Sequence, residues 1–73
     1  MTKTIYLDEY KKLIKKLKKA RLETGLTQIQ AANKLNEGQS YISKIEAGDQ
    51  RIDIIELKRF SELYKKTLNY FIN

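Results

Sequence analysis

The amino-acid sequence predicts an all-α domain of five short helices, and three observations support this fold class. The chain has 73 residues and no Pro, and it is rich in Lys, Glu, Leu and Ile, a composition that favours helices. Apolar residues recur every three or four positions along most of its length. The periodic stretches are separated by Gly25, Gly38 and Gly48, and we expect these glycines to adopt the left-handed conformation that ends helices.

The first predicted helix has an apolar face and a cationic face. Its apolar stripe, at the spacing of an α-helix, consists of Tyr10, Leu13, Ile14, Leu17 and Ala20. Its opposite face carries Lys11, Lys12, Lys15, Lys16, Lys18 and Lys19. Such a face can simply be solvated or can attract a polyanion, and both interpretations stay open. Arg21 projects toward the middle of the apolar face, where a charge needs a partner.

The second predicted helix opens at Thr27 and stops after about two turns at Asn36. Thr27 and Gln30 have the spacing of a capping box, in which each side chain bonds the backbone N–H of the other residue. Asn36 tolerates positive φ and therefore suits the turn that follows. The apolar face of this helix consists of Ala31, Ala32 and Leu35.

The third predicted helix runs from Gln39 to Ala47, after Gly38 as an acceptable N-cap and before Gly48. Its inward-facing residues are Ile42 and Ile45. Its outward face carries hydrogen-bonding side chains instead of the Glu/Lys mixture of an ordinary solvated helix. These side chains belong to Gln39, Ser40, Ser43 and Lys44.

Two further helices complete the predicted fold. The fourth runs from its N-cap Asp53 to Tyr64, and the fifth begins at about Thr67. The inward-facing residues of the fourth are Ile54, Leu57, Phe60, Ser61 and Tyr64. The apolar residues of the fifth are Leu68, Phe71 and Ile72. Three apolar residues are expected to face outward, namely Ile55, Leu63 and Tyr70.

Composition excludes several classes of function. The chain has no Cys and no His, so it can form neither a thiolate or imidazole zinc site nor a Cys–His or Ser–His–Asp catalytic group. We expect no enzyme, no cofactor and no metal, because the acids Asp8, Glu9, Glu23, Glu37 and Glu56 form no visible paired constellation. Apolar runs are too short to span a bilayer and the N-terminus does not resemble a signal peptide, so a cytoplasmic location is expected.

The second and third helices have the pattern of a helix-turn-helix, in which the second helix presents a polar outward face. Ala32 is small where the two helices must cross closely, Asn36 supplies the turn, and Ile42 anchors the second helix in the core. The net charge of +6 favours a polyanionic partner. The pattern therefore predicts that the protein binds double-stranded DNA.

The motifs in this chain resemble the lambda-repressor/Cro-type helix-turn-helix (XRE) family. They are Gly25-Leu26-Thr27-Gln28, Ala32 and the run from Gln39 to Gly48. Residues 53–64 and 67–72 resemble the fourth and fifth helices of that lambda-repressor-like fold. The resemblance covers about residues 13–73, so we expect one domain with residues 1–9 as a short N-terminal extension.

Several positions depart from the family's usual pattern. They are Ile29, Ala31, Asn36, Gly38, Ile52 and Lys58. Ala31 stands where the family usually has Leu, and Ile29 stands where a charge is usual. We expect Ile29 to fill the space left beside Ala31, so that the packing changes but the fold does not.

The resemblance implies roles for individual side chains. Reading of DNA bases is implied for Gln39, Ser40, Ser43 and Lys44. Binding of DNA phosphates is implied for Thr27, Gln28, Gln50 and Arg51. Arg21 and Glu46 match an internal ion pair of the family, which the position of Arg21 on an apolar stripe also requires.

We expect a small transcriptional regulator, acting as a repressor, that binds a palindromic operator as a homodimer. A monomer would read only a few base pairs, and the apolar residues Tyr70, Phe71 and Ile72 are candidates for the dimer contact. Other interpretations stay open. The chain could be a protein-interaction module of the same fold, the DNA-binding fragment of a longer regulator or antitoxin, or a domain whose basic first helix lies on an anionic membrane surface.

Overall fold

The structure, a computed structural model, describes residues 8–73 and contains five α-helices within that range. They are α1 (Asp8–Glu23), α2 (Gln28–Lys34), α3 (Gln39–Glu46), α4 (Ile54–Tyr64) and α5 (Leu68–Ile72). No β-strand occurs among these residues, and none of their helices is both long enough and apolar enough to cross a bilayer. The all-α fold class predicted from the sequence is confirmed.

The predicted side-chain caps begin α2 and α4. Thr27 Oγ1 accepts a hydrogen bond from the backbone N–H of Gln30 at 3.1 Å, and Gln30 Oε1 accepts one from the N–H of Thr27 at 2.9 Å. Asp53 and Glu56 form the same capping box at the start of α4. The N-cap of α3 is Gly38, whose φ of −83° lies outside the left-handed region, so the expectation of positive φ is wrong for this glycine.

Left-handed residues follow α1, α2 and α3 and begin the turns after them, as Lys65 does after α4 with φ 57°. Gly25 after α1 has φ 76°, Asn36 after α2 has φ 58° and Gly48 after α3 has φ 81°. After α2 the N–H of Asn36 bonds the carbonyl of Asn33 at 3.1 Å, and the N–H of Glu37 bonds that of Ala32 at 2.8 Å. These two bonds form a Schellman motif, which confirms Asn36 as the turn residue of the helix-turn-helix.

The hydrophobic core lies between the inward faces of the helices, and every helix contributes to it. Its buried apolar residues are Ile14, Leu17, Ala20, Ala31, Ala32, Leu35, Ile42, Ile45, Leu57, Phe60, Tyr64 and Phe71. Ala31 and Ala32 are buried without a large side chain, which lets α2 pack closely on its neighbours. The apolar stripe predicted for α1 lies in this core or packs against it.

Two predicted core residues are exposed. Ile29 is 54% exposed, because residues two apart on a helix point to nearly opposite sides and Ala31 faces the core. The expectation that Ile29 fills space beside Ala31 is wrong. Ile54 is 62% exposed, because no described part of the chain covers this side of the first turn of α4. Leu63 and Tyr70 differ in the opposite sense and are half-buried against the core.

Contacts with α4 help to fix the position of the helix-turn-helix. The Tyr41 ring on α3 stacks on Phe60 with a centroid separation of 6.1 Å, and its hydroxyl donates to Glu56 Oε2 at 2.6 Å. Burial, followed by the hydrogen bond to Glu56, raises the pKa of the Tyr41 phenol. Arg59 donates a hydrogen bond to the carbonyl of Leu35 in the turn between α2 and α3. The orientation of α3 is thus set by contacts to α4 as well as by the turn.

Candidate nucleic-acid interface

The outward face of α3 carries four polar side chains that the structure brings together on one side of the helix. Ile42 and Ile45 point into the core, so the residues around them project away from it. The exposed residues on that outward face are Gln39, Ser40, Ser43 and Lys44. An exposed α-helix with hydrogen-bonding side chains fits the width of the DNA major groove.

Arg21 and Glu46 form a buried ion pair beneath this face. The Arg21 Nε lies 2.7 Å from Glu46 Oε2, and its Nη2 lies 3.0 Å from Oε1, so the contact is bidentate. The two side chains are 7% and 5% exposed. Arg21 Nη1 also donates to the carbonyl of Leu26 at 2.9 Å, and the hydrogen bond to Glu46 raises the pKa of Arg21. The pair therefore joins α1, α3 and the turn before α2.

A chain of hydrogen bonds continues from this ion pair to the exposed face of α3. Gln28 Nε2 donates to Glu46 Oε1 at 3.1 Å, and Gln39 Nε2 donates to Gln28 Oε1 at 3.4 Å. A carboxylate can only accept hydrogen bonds, so Gln28 turns its Nε2 toward Glu46 and its Oε1 toward α3. The carboxylate of Glu46 thereby sets the direction of the Gln28 amide, whose oxygen accepts from Gln39. We call this chain of contacts the Glu46–Gln28–Gln39 relay.

This relay determines which hydrogen-bonding groups Gln39 presents to solvent. One N–H of the Gln39 amide is used by Gln28, whereas the second N–H and the Oε1 have no partner in the described part of the chain. One donor beside one acceptor complements the N7 and N6 edge of adenine in the major groove. Sequence reasoning missed the relay, because nothing in the spacing of Gln28 and Glu46 indicates that α2 and α3 bring them together.

The comparison with known families agrees with this geometry. The helix-turn-helix family model of the Cro/C1 type matches residues 17–71. The chain belongs to the Cro/C1-type helix-turn-helix family. It therefore carries a DNA-binding helix-turn-helix of the kind found in transcription regulators. A search of curated proteins and a search of solved structures each gave no significant match.

In this helix-turn-helix domain the phosphate-binding candidates lie at two places. Thr27 and Gln28 are at the start of α2, where the Thr27 hydroxyl and the Gln28 amide already take part in the capping box and the relay. Gln50 and Arg51 lie in the segment between α3 and α4, which consists of residues 47–53. Arg51 is exposed and Gln50 is half-buried. Only Arg51 among the four carries a positive charge.

The lysine face of α1 gives the helix-turn-helix domain its basic character. Five of its six lysines are exposed, and none forms an ion pair with an acid in residues 8–73. The sixth, Lys16, is half-buried and places its Nζ 5.7 Å from the centre of the Tyr70 ring. A concentration of unpaired cations on one helix raises the local electrostatic attraction for DNA.

The three C-terminal residues considered for a dimer contact are not equivalent in the helix-turn-helix domain. Phe71 is 2% exposed and belongs to the hydrophobic core, whereas Ile72 is 66% exposed. Tyr70 is half-buried, with Lys66 Nζ 4.8 Å and Lys16 Nζ 5.7 Å from its ring centre. Tyr70 and Ile72 are therefore the two of the three with surface to offer a partner.

Proposed function

We propose that this protein is a transcriptional repressor that binds a palindromic DNA operator as a homodimer, with α3 in the major groove. The observation that carries the proposal is the Glu46–Gln28–Gln39 relay, which holds a base-complementary amide on the exposed face of the second helix of the motif. An amide that presents its donor and acceptor in one direction discriminates between bases, which supports base reading by α3.

Adenine is the base that Gln39 is arranged to read. The Oε1 of Gln39 accepts from the adenine N6 amino group, and its remaining N–H donates to adenine N7. Lys44 lies about a turn and a half further along α3, where its long stem reaches a guanine or a flanking phosphate. Ser40 and Ser43 are short and contribute where the helix lies deep in the groove.

Phosphate contacts supply affinity without sequence preference. We assign them to Thr27, Gln28, Gln50 and Arg51, with the lysine face of α1 increasing the long-range attraction. Glu46 does not oppose this, because Arg21 neutralises its charge at 2.7 Å. Binding is therefore expected to weaken steeply as salt rises. In a plot of the logarithm of the binding constant against the logarithm of the salt concentration, the slope should be about −0.9 for each phosphate neutralised.

A homodimer completes the site because one domain presents a single reading helix. Two copies related by a two-fold axis place their α3 helices about one turn of DNA apart, roughly 34–36 Å, on a palindrome. The exposed Ile72 and the half-buried Tyr70 support a contact through α5. Because the two copies are related by a two-fold axis, we expect the operator to be symmetric as well.

Selection of bound sites from a random duplex library tests the proposal, followed by titration of the enriched site across salt concentrations. We expect a palindrome with an adenine at equivalent positions of both half-sites, and an affinity that falls steeply with salt. A chain that enriches no sequence and binds every duplex equally from low to physiological salt contradicts the proposal. Binding to anionic vesicles in parallel separates DNA binding from attachment to any anionic surface.

A further inference from the structure

The segment between α3 and α4 is tied to the start of α1 by a side chain 40 residues away. The hydroxyl of Tyr10 donates a hydrogen bond to the carbonyl oxygen of Gln50 at 2.9 Å. Tyr10 is half-buried, and this burial raises the pKa of its phenol. One tyrosine thus contacts the middle of residues 47–53, which we call the α3–α4 loop.

The rest of the α3–α4 loop has few polar contacts of its own. At its start the N–H groups of Gly48 and Asp49 bond carbonyls at the end of α3, at 3.0 and 2.8 Å. At its end the N–H of Asp53 bonds Glu56 at 2.9 Å. Between them, residues 50–52 form no backbone–backbone hydrogen bond. Tyr10 is therefore the polar anchor of the central part of the loop, beside the packing of Ile52 on the core.

The anchor has a geometric consequence for the next residue. A trans peptide unit is planar, and its C=O and N–H point in opposite directions. The peptide between Gln50 and Arg51 is trans, and its carbonyl faces Tyr10. The N–H of Arg51 is therefore directed away from α1, and it has no backbone partner in the described part of the chain. Arg51 thus carries both this N–H donor and an exposed cationic side chain.

We infer that Tyr10 is a positioning residue for phosphate binding by the α3–α4 loop. Its hydroxyl holds the Gln50 carbonyl inward, so that the N–H and the guanidinium of Arg51 face one phosphate of the DNA backbone together. A backbone donor beside a cation suits a phosphate oxygen. Tyr10 itself does not touch DNA. The inference rests on the proposed DNA binding and adds that the start of α1 sets its affinity.

The first test measures the backbone order of the α3–α4 loop in the free protein, without DNA. Tyr10→Phe removes only the hydroxyl, and Tyr64→Phe is a matched control because the Tyr64 hydroxyl is buried without a partner in residues 8–73. We expect the heteronuclear NOE of residues 49–52 to fall in Tyr10→Phe and to stay at the wild-type value in Tyr64→Phe. Unchanged NOE values in Tyr10→Phe overturn the inference.

DNA binding by the same variants is the second test, on the selected operator and its single-base variants. We expect Tyr10→Phe to weaken every duplex by the same factor, about three- to tenfold for each subunit, which is the scale of one hydrogen bond. The log–log salt slope should become shallower by about one unit for each subunit. Tyr64→Phe should match wild type in both measurements.

The outcomes separate this inference from the proposed function. A Tyr10→Phe variant with wild-type affinity and slope overturns the positioning role while leaving the proposed function intact. A loss confined to one base pair also overturns it, because a phosphate contact carries no base preference. A wild-type chain that binds no duplex overturns the proposed function, and with it the phosphate role of the loop.

Discussion

Glu46 accepts hydrogen bonds from two directions, from Arg21 in the core and from Gln28 at the start of α2. A carboxylate has enough lone pairs for both, and it has no proton to donate in return. The same carboxylate therefore neutralises the buried Arg21 and orients the amide of Gln28. A neutral side chain at this position would leave Arg21 unpaired in the core.

The first prediction concerns that ion pair. Arg21→Met leaves the Glu46 charge buried without its partner, and we expect the free energy of unfolding to fall by about 3–5 kcal/mol. Urea unfolding measures the change. Glu37→Gln is the control, because the pair of Glu37 with Arg59 is about a third exposed and should contribute under about 1 kcal/mol. Equal losses in the two variants would contradict the prediction.

The second prediction concerns the Tyr64 hydroxyl. Tyr64 is buried at the end of α4, and its hydroxyl has no hydrogen-bond partner in the described residues. Since an unsatisfied buried polar group destabilises the fold, Tyr64→Phe should raise the free energy of unfolding by about 1–2 kcal/mol. Thermal unfolding checks this. A loss of stability would indicate that the hydroxyl binds a buried water molecule.

The third prediction separates base reading from phosphate binding. Gln39→Ala should weaken binding to the preferred operator by about 1–3 kcal/mol and relax preference at one base pair in each half-site. Arg51→Ala should weaken all sequences equally and make the salt slope shallower by about one unit for each subunit. A matrix of both variants against single-base operator variants gives the answer. Equal weakening of every duplex by Gln39→Ala would remove Gln39 from the reading face.

Gln28→Leu provides the control for the relay behind Gln39. It removes the partner of the Gln39 amide and leaves the Arg21–Glu46 pair in place. If the relay orients Gln39, Gln28→Leu relaxes preference at the same base pair, and the double variant with Gln39→Ala loses no further discrimination there. Independent losses at that base pair would mean that the two amides act separately.

At the scale of elements, the ends of the helices decide where α3 lies. Asn36 and Gly48 both adopt positive φ, and they bound the segment that contains α3. The N-terminal end of α3 differs because Gly38 offers no side chain to cap it. That end carries Gln39, so the least stabilised end of the helix is the one that we place first in the groove.

The fourth prediction uses two glycines that differ in backbone conformation. A Cβ added at Gly38 or at Gly25 would meet no atom within 4 Å, but φ is −83° at Gly38 and 76° at Gly25. Gly38→Ser should therefore stabilise the fold by about 0.5–1 kcal/mol, through a cap and a less flexible unfolded chain. Gly25→Ser should destabilise it by roughly 1 kcal/mol. Thermal unfolding distinguishes them, and the same sign in both would contradict the prediction.

At the scale of the whole molecule, α5 serves both the core and the outer surface. Phe71 is buried, so removal of α5 would expose the core and would also remove any dimer contact that α5 makes. Tyr70 joins α5 to α1 through Lys16, and it contacts Phe71 edge-to-face at 5.0 Å. The proposed dimer contact must therefore be tested by changing a side chain that the core does not use.

The fifth prediction concerns Ile72, which is such a side chain. Ile72→Glu places a charge in the proposed two-fold contact, and we expect sedimentation to show a shift from dimer to monomer with unchanged helicity by circular dichroism. Operator affinity should fall with it, because one reading helix remains for each bound molecule. Ile55→Glu is the control, since Ile55 is equally exposed but lies on α4. A variant Ile72→Glu that still dimerises would place the interface elsewhere.

Sequence alone determined what depends on residues close together in the chain. The capping boxes, the turn at Asn36 and the apolar stripes all follow from side chains within four positions of one another, so their spacing reveals them. The ion pair of Arg21 with Glu46 was also predictable, although the residues are 25 positions apart. A cation on an apolar stripe requires an acid, and the resemblance to the family indicated which one.

Tertiary structure decided everything that depends on which distant elements meet. Periodicity gives the direction of a side chain but not whether a neighbour covers it, so Ile54 was expected in the core and is exposed. The contacts of Gln28 with Glu46 and of Tyr10 with Gln50 join residues 18 and 40 positions apart. No local pattern encodes such distances, because they result from the packing of whole helices around a shared core.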